Sequence, residues 1–99
     1  MVLNVNAATI SASAATEGAV SAELAAGTAA AAAALITVMP MGLDLDSIEF
    51  AAALNAAGAA CIGTAGEHLA NRGMFSGSQD LAAATYAVTD AIHNAALAI

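Results

Sequence analysis

The sequence predicts an all-α fold, an antiparallel helical hairpin of two long helices with a short C-terminal helix, completing a bundle with a partner chain. Three observations predict it. The 99 residues are 61% hydrophobic but only 3% aromatic, and most of the apolar count is alanine, the strongest helix former. Larger apolar residues recur at helical spacing, with no strand-like alternation. One sharp interruption, Met39-Pro40-Met41-Gly42, separates the two longest helical stretches. The partner follows from energetics. A chain of this length holds a single domain, 1–99. Alanine removes little apolar area from water, whereas ordering costs roughly 1.5 kcal/mol per residue. The missing contact is expected from another chain.

The first helix is expected over about 7–38, opening near Asn6 or Thr9, both acceptable caps. Val20, Leu24, Ala31, Leu35 and Val38 form one stripe along it, and Ile10 precedes them. Glu17 interrupts that stripe, so the first two turns are expected to pack less tightly than Val20–Val38. The turn, about 39–45, is set by Pro40, which cannot continue a helix, and Gly42, which permits reversal. Asp44 and Asp46 lead into the second helix, about 46–72, with Asp46 and Glu49 spaced as a capping box. Phe50, Leu54, Cys61, Ile62 and Leu69 share one face of it. Cys61 has no partner for a disulfide and reads as a small buried residue. Gly58, Gly63 and Gly66 point to close helix–helix approach, or otherwise to a kink. A break is expected over 73–78, where two glycines fall close together. Ser76 and Gln79 are spaced to cap a last helix over about 79–95, with Leu81, Val88 and Ile92 on one side.

Charge narrows the function. Eight acids stand against one base, Arg72, for a net charge of −7. Nucleic acid and anionic membranes both require basic clusters that this chain lacks. Leu24–Leu43 is uncharged and long enough to span a bilayer. Its alanine content and acidic flanks, with no nearby Lys or Arg, favour a buried helix instead. Met1–Asn6 carries no basic region leading into an apolar core, so a cleavable leader is not expected. Catalysis finds no foothold. His68 and His93 are 25 residues apart and neither has a metal-spaced partner. The serines lack a nucleophile elbow, and the glycines follow no strand. No catalytic residue, metal or cofactor is expected.

One short pattern stands apart. Tyr86-Ala87-Val88-Thr89-Asp90 places the only tyrosine one helical turn before an acid, so one receptor could read phenol and carboxylate together. In the context of the whole chain it carries a resemblance. The Ala-rich first helix, the turn Gly42-Leu43-Asp44-Leu45-Asp46-Ser47 and the later Tyr86-x-x-x-Asp90 occur in the order found in the mycobacterial PE family. The turn is similar to that family's Gly-Ala-Asp-Glu-Val-Ser. The Pro-Glu dipeptide that names the family is absent, with Ala8-Thr9 near its place. A WXG-type hairpin is a neighbouring class, but this chain has no tryptophan.

The resemblance implies a non-enzymatic subunit that forms a heterodimer with a PPE protein. A cytosolic secretion chaperone would engage the pair through the PPE subunit. The folded pair would then leave the cytoplasm by the type VII (ESX) secretion machinery, to be secreted or held at the cell surface. Tyr86 and Asp90 would be the export signal. Ile10, Val20, Leu24, Leu35, Val38, Phe50, Leu54, Ile62 and Leu69 would form the partner-facing and intra-hairpin surfaces. Two other readings share the same composition: a self-associating helical bundle and a membrane-associated helical hairpin.

Overall fold

The structure, a computed structural model, describes residues 4–98. Among them are two helices and no strand: α1, Ala7–Ile36, and α2, Leu45–Leu97. Asn6 caps α1, its side-chain oxygen accepting from the Thr9 N–H at 3.1 Å. The helix stops at Ile36, two residues short of the expected end, because Pro40 biases the residues before it away from helix. The freed backbone at Val38 is taken up by one side chain. Val38 N–H donates to Asn55 Oδ1 at 2.8 Å, and Asn55 Nδ2 donates back to the Val38 carbonyl at 3.1 Å. Half-buried Val38 thus keeps both its backbone polar groups paired.

The cap of α2 is Asp44 rather than the expected Asp46. One Asp44 oxygen accepts from Ser47 N–H and the other from Ser47 Oγ, at 2.8 and 2.9 Å. Asp46 falls inside the first turn, where its charge faces the positive end of the helix.

The expected break over 73–78 and the separate helix over 79–95 are not found. α2 runs without interruption for 53 residues. Gly73 and Gly77 keep negative φ like every other described glycine, so each costs only about 1 kcal/mol of helix propensity. Ser76 and Gln79 do not cap. They are consumed by contacts to α1, given below.

The chain packs as two units. In residues 22–70, the end of α1 folds back through the turn onto the start of α2. On α2 the inward positions are Ser47, Ala51, Asn55, Gly58, Ile62, Ala65 and Leu69, at steps of three and four. On α1 they are Thr28, Ala32 and Leu35, with Val38 after it. The approach is close at Gly58. A Cβ there would collide with the Leu35 carbonyl oxygen and lie 2.7 Å from its carbon. Gly63 and Gly66 meet nothing within 4 Å, so close packing explains one of the three glycines.

In residues 4–21 and 71–98, the start of α1 packs against the later part of α2, and the seam is polar. Arg72 donates to Glu17 Oε2 at 2.7 Å and to Ser21 Oγ at 3.3 Å. Ser76 Oγ donates to the Ala14 carbonyl at 2.9 Å. Gln79 donates to Ser13 Oγ, and Ser11 Oγ donates to Asp80, both at 3.2 Å. Moving up α1 moves down α2, so the two segments run antiparallel. Ala14 is the most buried side chain of α1, at 1% exposure. The first turns are therefore packed more tightly than expected, because alanine lets the Ser76 hydroxyl reach the opposing backbone.

Among the described residues the buried apolar side chains are all small: Ala14, Ala51 and Ala83. Of the candidate interface residues, Ile10, Leu35, Val38, Ile62 and Leu69 are half-buried within the chain. Val20, Leu24, Phe50 and Leu54 are exposed. Cys61, expected to be buried, is exposed, since Ile62 takes the inward position beside it.

Two substitutions test these seams. Gly58→Ala should destabilise the chain by about 1–3 kcal/mol through overpacking against backbone. Gly63→Ala, in open space, should be neutral or stabilising by up to about 1 kcal/mol. Urea unfolding of both variants measures the contrast, and equal effects would refute close approach at Gly58. At the Glu17–Arg72 pair, with side chains 29% and 34% exposed, a double-mutant cycle using Glu17→Gln and Arg72→Met should give a coupling of about 1 kcal/mol. That coupling should shrink in high salt.

Candidate functional site

Because α2 is unbroken, Tyr86 and Asp90 lie on one regular helix, one turn apart on the same side. Both are exposed, Tyr86 less so than Leu81, Val88 and Ile92 on the same helix. Asn4 and Val5, from the segment before α1, join Tyr86, Thr89, Asp90 and His93 in lining an open groove of about 300 Å³. Among the described residues, none of the polar side chains in this groove is tied to another by a hydrogen bond. The motif is thus available to a second molecule, with a ring, a carboxylate and an imidazole within one concavity.

A second groove, of about 320 Å³, lies at the turn. Val38, Met39, Pro40, Met41, Phe50 and Leu54 give it a mainly apolar lining. Around it Met41 and Leu43 are almost fully exposed, at 97% and 98%. These side chains are outside because the turn projects them away from the seam, whose inward positions belong to Val38, Ser47 and Ala51. Gly42 is itself tightly placed. A Cβ on it would come within 2.6 Å of Asp44 Oδ2, so the small residue leaves room for the cap. Pro40, Gly42 and Asp44 lie between the two helices, and Asp46 is the second residue of α2.

A third feature is a stripe on the later part of α2. Met74, Leu81, Val88 and Ile92 recur at steps of seven, seven and four and are all exposed. They face away from Arg72, Ser76, Gln79 and Ala83, which point inward.

No group of three or more His, Cys, Asp or Glu side chains that could hold a metal occurs among the described residues. His68 and His93 are both exposed. Sequence reasoning passed over Asn55 and assigned Ser76 and Gln79 to a cap; in the structure all three fasten helix to helix or helix to turn. Their signal was present: all three sit at the three-and-four spacing of the inward face, in register with Ala51, Gly58 and Ala83.

No family model, curated protein or solved structure matches this chain.

Asp44 gives the turn a pH dependence. The backbone N–H of Ser47, and then its hydroxyl, hold the Asp44 carboxyl below its ordinary value of 3.8. A depressed carboxylate pKa contributes stability that is complete above the unfolded value and is lost as pH falls through the folded one. Asp44→Asn, which keeps a capping oxygen but no charge, should therefore be less stable than the parent at pH 7. The gap should close as pH falls below 3.8. Thermal melts from pH 7 to pH 2 measure this, and a gap independent of pH would remove the charge from the cap.

Proposed function

We propose that this protein is a non-enzymatic, PE-like helical subunit that pairs with a PPE protein. The pair leaves the cell through a type VII secretion system, reading Tyr86 and Asp90 as its export signal. The observation that carries the reading is a mismatch. The buried core consists of alanines, while Met39, Met41, Phe50, Met74, Leu81 and Ile92 stand exposed. Exposed apolar surface of this kind marks an interaction site. A helix groove or face that lacks large core residues is completed by the side chains of another helix.

The surfaces divide naturally between two tasks. The apolar groove at the turn and the stripe Met74, Leu81, Val88 and Ile92 suit burial against partner helices. The polar groove at Tyr86 and Asp90 suits recognition in passing, since it offers directional groups and little apolar area. The chaperone engages the PPE subunit, so it requires no site on this chain.

A membrane-associated hairpin is the second reading. Its support is that both helices contain an apolar stretch long enough to cross a bilayer. The lack of basic flanks in a chain of net charge −7 weighs against it.

Expressed alone, the chain should be poorly soluble or form aggregates. Co-expressed with a PPE protein encoded beside it, it should form a soluble one-to-one complex by light scattering. A stable monomer with a cooperative melt would count against pairing. Tyr86→Ala should abolish export to the culture medium while leaving that complex intact. Undiminished secretion would remove the motif from the reading, and resistance of the lone chain to carbonate extraction would favour the membrane hairpin.

A further inference from the structure

We propose that the groove at Tyr86 and Asp90 is a seat for an arginine side chain presented by another protein, with Asn4 and Val5 forming part of the seat. The proposal rests on the reading of Tyr86 and Asp90 as a recognition element and names the chemistry that element accepts. A volume of about 300 Å³ lies at the lower limit of small-molecule pockets. An open groove of that size suits one long side chain rather than a cofactor.

The lining selects a cation. The face of the Tyr86 ring attracts positive charge, and the Asp90 carboxylate accepts charge-assisted hydrogen bonds. Among the described residues no Lys or Arg lines this groove, and the one basic side chain in its lining is the His93 imidazole. Arg72 is the only Lys or Arg in the sequence, and its guanidinium is committed to Glu17 and Ser21. A guanidinium for the groove therefore comes from another molecule, and a net charge of −7 draws a cationic one toward the surface. Arginine fits better than lysine. Its planar guanidinium stacks on a ring while forking toward a carboxylate, and it sheds water more readily. The Asn4 amide oxygen and Thr89 hydroxyl offer acceptors for its remaining donors. The recognition element is then composite: α2 contributes ring and charge, and the segment before α1 contributes the facing wall.

The sequence contains one tyrosine and no tryptophan, so intrinsic fluorescence of the full-length chain reports on this groove alone. N-acetyl-arginine methylamide should change that fluorescence with a saturating dependence. Asp90→Asn should weaken the apparent affinity by roughly tenfold. The glutamine analogue, which lacks the charge, should give no saturating change. Far-ultraviolet circular dichroism of Asp90→Asn should match the parent, and Thr89→Ala serves as a second variant with a smaller loss. A linear response to the arginine compound overturns the proposal, as does a saturating one indifferent to Asp90. Failure here with export still abolished by Tyr86→Ala would remove the arginine seat and leave the export signal standing. Saturable, Asp90-dependent binding with normal export of Tyr86→Ala would do the reverse.

Discussion

The close approach of two helix backbones is the constraint on which the structure depends. At Gly58 the approach is so tight that the Leu35 carbonyl occupies the space a Cβ would need. Such contact gains dispersion along the backbone itself and leaves no space for a side chain at Gly58. Phe50 and Leu54 flank Ala51 and are left exposed. The buried apolar side chains are alanines, and larger ones such as Met41, Leu43 and Leu81 remain outside.

A seam made of small residues has little shape to fix its register, since one alanine fits much like the next. Polar side chains supply that definition. Asn55 makes two hydrogen bonds with the backbone of Val38, and a slip of one residue would leave both partners unpaired. In the unit of residues 4–21 and 71–98, Arg72 reaches Glu17 and Ser21 together, while Ser76 finds the Ala14 carbonyl. Each contact is modest in net free energy. Each is costly to break in a half-buried setting, so wrong registers are penalised more than the right one is stabilised. A single polar residue fixing alignment in a helical seam is the best-attested use of such groups.

Much of the architecture was legible in the sequence because helix propensity and the Pro40 interruption are local signals. Both helices, the turn and the cap at Asn6 follow from residues within four positions of one another. What was not legible was non-local. Ser76 and Gln79 have the spacing of a capping box, and nothing in the nearby sequence shows that their partners lie more than sixty positions away. Gly73 and Gly77 read as a break for the same reason, although tertiary contacts on either side outweigh their propensity cost. The expected faces divide: Ile10, Leu35, Val38, Ile62 and Leu69 are half-buried within the chain, whereas Val20, Leu24, Phe50 and Leu54 are exposed. For the site, the i,i+4 relation of Tyr86 and Asp90 required only a helix. The facing wall from Asn4 and Val5 required the tertiary fold.

The continuity of α2 changes what the Tyr86–Asp90 pair can do. A motif on a separate short helix after a flexible break would have to be ordered by its receptor, and that ordering would subtract from affinity. Here the pair sits in a 53-residue helix whose inward residues Arg72, Ser76 and Gln79 are already fastened. Phenol and carboxylate are held one turn apart before any partner arrives. A two-residue pattern is short enough to occur often by chance. Under the proposed reading its discrimination comes from geometry: both groups on one regular helix, within one groove, beside a wall contributed from elsewhere in the chain. Unfolded or unpacked copies of the same five residues would present neither the fixed spacing nor the wall. A reader of this groove would thereby distinguish folded chains from unfolded ones.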